Sequence, residues 1–478
     1  MLNMRMTNTN IQLKLSELKA TAKKLKLSPE ARILFNSFLF LFDILLAKLL
    51  KNSRNSSIPP SQDSNRVKKP KDKSKKKSGG QPGHTGITLK KVDHPDKIIS
   101  LGLNRKNLPR GVKYTNSEPE TRQVIDFEVK LSVTEYQAEV LIDENGKRYV
   151  ADFPSHVKTG VQYGCTVKAN AVYMSYFQMC SLDRIVANFS DQLKIKISQG
   201  SIFNFCVELD EKLQPWEDWL KTALKSEDLL HADETGANVN GKKYWLHTLC
   251  NNKYTLFSIH EKRGKEAMDE MGVLPYFKGN LCHDHWKPYF QYLCSHLLCN
   301  AHHLRELTYA EEVEKQTWAK KMRLFLLEIN EEVKKEGGEL NTARQKKITV
   351  RYQKILREGE KECPASAPIK GKRGRTKQTK ARNLLERLQD FEKETLRFMT
   401  KASLPFTNNQ GENDLRMTKV KLKVAGCFRS LQGACIFARV RGFINTCIKN
   451  NLNVSEAINA VFKGNLEQII KKIAQNAE

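Results

Sequence analysis

Residues 229–310 constrain the fold more than any other part of the chain. Leu229-Leu230-His231-Ala232-Asp233-Glu234-Thr235 is a short apolar run ending in carboxylates. Two more strand-like runs follow, Tyr244 to Cys250 and Tyr254 to His260, parted by the turn-like Asn251-Asn252-Lys253. A helical piece, Gly264 to Met271, leads to Gly279-Asn280-Leu281-Cys282-His283-Asp284-His285. Ser295-His296-Leu297-Leu298-Cys299 then reads as a further strand running into a helix from Asn300 to Ala310. The expected order is three consecutive strands, helix, strand, helix, strand, helix. A doubly wound sheet would alternate from its first strand and fits this order less well.

The order matches a mixed α/β sheet of the ribonuclease-H-like kind, in which carboxylates ending the first and fourth strands lie side by side. Asp233 and Asp284 fit those places. Oxygen ligands of this type suit Mg²⁺, or Mn²⁺ in its stead, whereas the nearby cysteines do not. A pair of such ions about 3.5–4 Å apart serves the attacking and leaving oxygens of an in-line displacement. A third carboxylate must come from a later helix, and Asn408-Asn409-Gln410-Gly411-Glu412-Asn413-Asp414-Leu415-Arg416 offers Glu412, with Glu234 or Asp414 able to take a role next to it. Taken singly, Asp233 or Asp284 reads first as a strand-end turn residue, and Glu412 alone fits a solvent-facing helix residue. The pair at strand ends on a basic chain gives the metal reading its weight.

The chain has 478 residues and a formal net charge of +28, with 81 Lys+Arg against 53 Asp+Glu. Such an excess points to phosphate-rich partners, DNA first, because neutralising phosphates releases condensed counterions; a membrane surface or ribosome is the competing partner. No membrane-spanning helix is expected. The most apolar stretch, Ile33 to Leu46, is interrupted by Asn36, Ser37 and Asp43 and falls short of the roughly 20 apolar residues a span requires. Nor does it read as a signal peptide. Eleven cysteines without a CxxC pair suggest reduced thiols in a cytosolic compartment.

Composition divides the chain further. Residues 1–51 read as a helical oligomerisation segment: Ile11, Leu15, Leu18 and Leu25, then Leu34, Phe38, Leu41, Leu45 and Leu49, form a stripe that needs a partner helix from the same body or another copy. Residues 52–91 form a basic linker containing Lys75, Lys76 and Lys77, either a DNA-tracking arm or a solvated tether. Residues 92–156 look like a small β-rich domain, with a hairpin turn at Glu144-Asn145-Gly146. Residues 157–226 are helical, and the pieces beginning at Ser181 and Ser198 resemble a helix-turn-helix, which bundles also produce by chance. Residues 227–310 hold the first part of the catalytic core and 401–450 the second, with the Glu412 helix. Between them, 311–400 is a helical insertion, for example Trp318 to Val333 and Ala381 to Met399, with a basic loop carrying Lys372, Arg373 and Arg375. Residues 451–478 end the chain in helices.

Several phrases resemble a known family. His231-Ala232-Asp233-Glu234-Thr235, Trp245-Leu246-His247, His260 with Lys262-Arg263-Gly264, and His283-Asp284-His285-Trp286-Lys287-Pro288-Tyr289 are similar to the core of insertion-sequence transposases of the sixty-six family. So are Cys299-Asn300-Ala301-His302-His303-Leu304-Arg305-Glu306-Leu307 and the Asn408 to Arg416 block with Gly426-Cys427-Phe428-Arg429-Ser430. The linker's Asn52-Ser53-Arg54-Asn55-Ser56-Ser57-Ile58-Pro59-Pro60-Ser61 and Gly79-Gly80-Gln81-Pro82-Gly83-His84 match that family's opening region. The resemblance covers nearly the whole chain in the expected order. It implies an Asp-Asp-Glu transposase whose metal-binding triad is Asp233, Asp284 and Glu412, which nicks the element's ends and joins the 3′ hydroxyls to target DNA without ATP. It also implies a bacterial, cytoplasmic, DNA-associated protein, a homo-oligomer on DNA, with accessory proteins often encoded alongside.

Cys299 and His302 resemble a C-x-x-H motif seen beside the second Asp in several transposase groups. Two ligands are too few for zinc, which takes four, so packing and local hydrogen bonding is their expected part. Arg305, Arg416 and Arg429 are candidate phosphate contacts, and Lys419, Lys421 and Lys423 extend the basic face. The family commonly has a cysteine-bearing zinc segment after Gly-Gly-Gln-Pro-Gly-His, but residues 85–164 contain no cysteine, so zinc is not expected there. Two other readings stand beside the transposase: a metal-dependent nuclease on the same scaffold, and an idle DNA-binding regulator, which would have no need of all three carboxylates.

Overall fold

The helix that starts at Pro29 shows how local signals set an element's boundaries. Pro29 occupies the first turn and the Ser28 hydroxyl accepts the Ala31 N–H at 3.2 Å, so helix α1 begins at Pro29 and runs to Leu49 (Pro29–Leu49). The computed structural model describes residues 28–56, 89–158, 160–366 and 376–476, together with Glu17, Thr21 and Asp63. Lys75, Lys76 and Lys77, and Lys372, Arg373 and Arg375, lie outside the described residues, as do most of the linker and the first apolar repeats.

Residues 89–158 are exposed almost throughout and form one hairpin, β1 (Val140–Ile142) against β2 (Arg148–Val150). Gly146 closes it at φ +79°, a conformation that favours glycine. This is less sheet than the β-rich expectation for 92–156. Alternation such as Ile125, Phe127, Val129 and Leu131 supplies a strand pattern, but among the described residues no second strand opposes it.

Four helices follow, α2 (Cys165–Tyr176), α3 (Leu182–Asp191), α4 (Gln199–Lys212) and α5 (Gln214–Lys225). The sheet comes next: β3 (Leu229–Val239), β4 (Lys242–Cys250), β5 (Thr255–His260), helix α6 (Lys265–Glu270), β6 (Asn280–His283) and β7 (Ser295–Leu298). Its spatial order is β5-β4-β3-β6-β7, with β3, β4 and β5 antiparallel and β6 and β7 parallel to β3. The protein is therefore mixed α/β. Between β6 and β7 there is a 3₁₀ turn, Lys287–Gln291, in place of the expected helix; Pro288 and the short span leave no room for one.

Helix α7 (Asn300–Glu312) leads into α8 (Thr317–Lys335), α9 (Thr342–Glu362), α10 (Lys380–Asp390) and α11 (Glu392–Leu396). The single helix expected over Ala381 to Met399 breaks at Phe391, whose backbone (φ −120°, ψ 38°) leaves the helical region. The last elements are α12 (Asn409–Asp414), α13 (Arg416–Ala425), α14 (Leu431–Lys449), α15 (Val454–Phe462) and α16 (Leu466–Gln475). Two apolar cores result. One joins α2–α5, the antiparallel strands and α14–α16 around Trp216, Phe437 and Phe443. The other joins Cys282 and Leu297 of the parallel strands to the insertion helices around Trp318, Phe325 and Tyr352. No helix among the described residues is long and apolar enough to cross a membrane.

Candidate metal centre

The strand register brings the first two carboxylates together. Parallel pairing sets Leu229, Leu230 and His231 opposite Asn280, Leu281 and Cys282. Carried two residues further, the same register sets Asp233 level with Asp284, just past the last pair. Asp233 is not at a strand end, as the sequence suggested, because β3 continues to Val239 in a long hairpin with β4. It sits where β3 has lost its β6 neighbour, which frees that side of the strand. Asp284 accepts the Trp286 N–H at 2.8 Å through Oδ1.

Glu412 arrives on α12. The buried Asn408 at the head of that helix anchors it: its Nδ2 donates to the Ala232 carbonyl at 2.8 Å, its Oδ1 meets His231 Nδ1 at 2.7 Å, and its N–H donates to Cys299 Sγ at 3.1 Å. A Cβ placed on Gly411 would lie 3.2 Å from Asn408 Nδ2 and 3.3 Å from Asn408 Oδ1 and the Asp233 Cβ, so any side chain there would make α12 and β3 ease apart by a few tenths of an ångström.

Electrostatics mark the site. The Asp233 carboxyl is pushed up to about 7, by burial first and then by the negative charges of Glu234, Asp284 and Glu412, against the Glu234 N–H that it accepts at 2.9 Å. Such a group calls for a cation. Carboxylate oxygens suit Mg²⁺ or Mn²⁺, but among the described residues the ligand atoms of Asp233, Asp284 and Glu412 do not all gather within 4.8 Å of one another. Glu412 faces elsewhere as well: Cys299, His302 and Glu412 have ligand atoms that all lie within 4.8 Å of one another. Arg305, read from sequence as a phosphate contact, lies 3.8 Å from Glu412.

The two alternative carboxylates are otherwise engaged. Glu234, with its side chain 1% exposed, is gripped by Arg263 (Nε at 2.7 Å, Nη2 at 2.6 Å) and accepts the Tyr289 hydroxyl at 2.6 Å. Arg263 is itself sandwiched between Trp286 and Trp245, 3.9 and 4.8 Å from the ring centres. Asp414 is buried against Lys449 at 2.6 Å and Thr255 Oγ1 at 2.8 Å.

Arg416 and Arg429 are exposed, as are Lys419 and Lys423 on α13. Lys421 does not share their face: positions two apart on a helix point apart, and it lies over the Tyr176 ring at 5.5 Å. Sequence reasoning missed Arg263, Asn408 and Gly411 as site builders, although all three stand inside quoted motifs. It missed Arg387 of α10 entirely. That residue, with Asp284, Cys299, His302 and Glu306, lines a cavity of about 240 Å³ beside the centre. Only the fold carries a helix of the insertion back to Asp284.

Paired carboxylates on a mixed sheet in a strongly basic chain describe a DNA-processing enzyme, and comparison with known families narrows the class. Residues 160–436, more than half of the chain, match the family described as Transposase IS66 family. The chain belongs to that family and is a transposase. Residues 11–90 match a family of unknown function (DUF6444). No curated protein matches the chain.

Proposed function

We propose that this transposase is of the Asp-Asp-Glu type, with a ribonuclease-H-like core in which Asp233, Asp284 and Glu412 hold divalent cations. The observation that carries the reading is the β3–β6 register, which sets Asp233 level with Asp284 while Gly411 lets the Glu412 helix rest on Asp233. The sheet order, three antiparallel strands followed by two parallel ones, supports the fold assignment. When bound, Mg²⁺ supplies charge neutralisation and a more acidic water at the scissile phosphate. The protein's own part is placement. The Glu234 N–H fixes one Asp233 oxygen, the Trp286 N–H fixes one Asp284 oxygen, and Arg305 steadies Glu412.

In this reading a water attacks the phosphodiester at an element end and frees a 3′ hydroxyl. That hydroxyl then attacks a target phosphodiester. Each step exchanges one P–O bond for another, so no ATP is consumed. The exposed Arg416, Lys419, Lys423 and Arg429 continue from the Glu412 helix and would carry backbone phosphates, together with Lys75, Lys76, Lys77, Lys372, Arg373 and Arg375. The N-terminal end of α4 is exposed and would serve end recognition by the 157–226 region. On α1, Ile33, Leu34, Phe38, Leu41 and Leu45 are exposed, which favours self-association through residues 1–51.

The test is a plasmid transposition assay with the gene's native flanking DNA as donor ends, wild type beside Asp233→Asn. Asp233-dependent movement is the expected result; Mg²⁺-dependent nicking without joining would reduce the protein to a nuclease.

Two further outcomes follow from the geometry. Gly411→Val would drive α12 off β3, and a displacement near 1 Å costs on the order of 10²-fold in rate. Cleavage should fall by about that factor while binding of the same DNA is kept; full activity in the variant would dissociate α12 from the chemistry. The raised Asp233 carboxyl sets the pH dependence. Below about 7 it carries a proton that a cation must displace, so nicking at limiting Mg²⁺ should rise with pH through about 7. Saturating Mg²⁺ should move that rise to lower pH, and a flat profile at limiting Mg²⁺ would contradict the assignment.

A further inference from the structure

We propose that Cys299, His302 and Glu412 form a second cation site of different chemistry, which takes a softer divalent ion such as Zn²⁺ and thereby draws Glu412 away from Asp233 and Asp284. The existence of the site rests on geometry alone; its consequence for cleavage rests on the role proposed for Glu412.

Two residues of the C-x-x-H motif are too few for zinc, and the fold supplies the third. Cys299 caps the start of α7 just after β7, His302 stands in the first turn of α7, and α12 brings Glu412 to them from more than a hundred residues along the chain. Three protein ligands with one open position is the pattern of exchangeable zinc sites, and thiolate with imidazole selects Zn²⁺ over Mg²⁺. Their ligand atoms span up to 4.8 Å. Bonds of about 2.0–2.3 Å in a tetrahedron need ligands roughly 3.5 Å apart, so the ion would close the set by about an ångström of side-chain rotation.

Independent observations point the same way. His302 Nδ1 is buried and has no hydrogen-bond partner among the described residues. Cys299 is 2% exposed, and its sulfur accepts the Asn408 N–H at 3.1 Å, the kind of outer contact that steadies a metal thiolate. Asp284 and Glu306 add negative charge around His302, opposed by the guanidinium of Arg305. Binding would release one proton, from the Cys299 thiol, and change no oxidation state.

Co²⁺ is the probe, added to the full-length protein without DNA. A thiolate–Co²⁺ absorption in the near ultraviolet, with the intense visible bands of a four-coordinate ion, is expected and should be displaced by one equivalent of Zn²⁺. The chain has other cysteines, so the difference between variants decides. Cys299→Ser should lose the thiolate band, and His302→Gln should lower Zn²⁺ affinity by at least about tenfold in competition with a chromophoric chelator. Because Cys299 is buried, His302→Gln keeps the test open if Cys299→Ser fails to fold. A band that survives both changes, or none in the wild type, would overturn the proposal. Zn²⁺ should also inhibit Mg²⁺-dependent nicking, and tight Zn²⁺ binding with undiminished nicking would overturn the capture of Glu412. An intact Co²⁺ spectrum in a protein that never nicks DNA would count against the Asp-Asp-Glu reading alone.

Discussion

Asp233→Asn is expected to lower strand cleavage by at least about 10³-fold while DNA binding stays within about twofold. The amide keeps the shape of the side chain and can still accept the Glu234 N–H, so the backbone around it has no cause to move. What goes is the charge that a cation needs. The same change removes a carboxyl that burial and three neighbouring carboxylates hold far above its ordinary range. Folding should therefore be unaffected or slightly favoured, and the thermal midpoint should stay or rise. That combination separates a chemical defect from an unfolded protein. Asp284→Asn and Glu412→Gln should behave alike in cleavage, measured as nicking of end-containing DNA beside a binding isotherm on the same DNA. Substantial cleavage by any of the three would remove that residue from the triad.

Asp414→Ala is expected to act on stability instead. Lys449 Nζ lies at 2.6 Å from Asp414, 2.7 Å from Thr255 Oγ1, and 2.8 and 3.0 Å from the carbonyls of Asn251 and Tyr254. Truncating the carboxylate leaves a buried ammonium facing only neutral oxygens, and breaking such a pair costs about 3–5 kcal/mol. The pair ties the end of α12 to α14 and to the start of β5, so the loss should appear as a large fall in the denaturation midpoint. Asp414→Leu with Lys449→Met should recover most of it, since no buried charge is left unpaired. An Asp414→Ala protein as stable as the wild type would mean that water reaches the ammonium after all.

Much of the sheet was legible because its strands are short apolar runs bounded by turn residues, and the helices expected over 451–478 are there as Val454–Phe462 and Leu466–Gln475. Asp233 and Asp284 stood out because carboxylates closing apolar runs are unusual. The hairpin extension of β3 was not legible: the strands expected at 229–235 and 244–250 left 236–243 unassigned, yet Phe428 pairs with Val239 and exchanges hydrogen bonds at 2.8 Å with Asn238 and Asn240. A partner nearly two hundred residues away overrides local propensity. The allotment of Glu234 and Asp414 to ion pairs was hidden for the same reason, because Lys449 and the two tryptophans around Arg263 meet them only in the folded chain. Lys421 misled because alternation was read as one face on what proved to be a helix.

The hydrogen bond from His231 to Asn408 joins residues 177 positions apart, and Lys449 must follow before Asp414 has its partner. A chain emerging from the ribosome at about 5–20 residues per second would therefore expose its basic N-terminal part and first two carboxylates for many seconds before the centre could close. On the proposed Asp-Asp-Glu reading the protein could not cut DNA during that interval. Any product truncated before residue 408 would lack Glu412 and also the α14–α16 part of the first core, so the fold of that half depends on the chain's last helices.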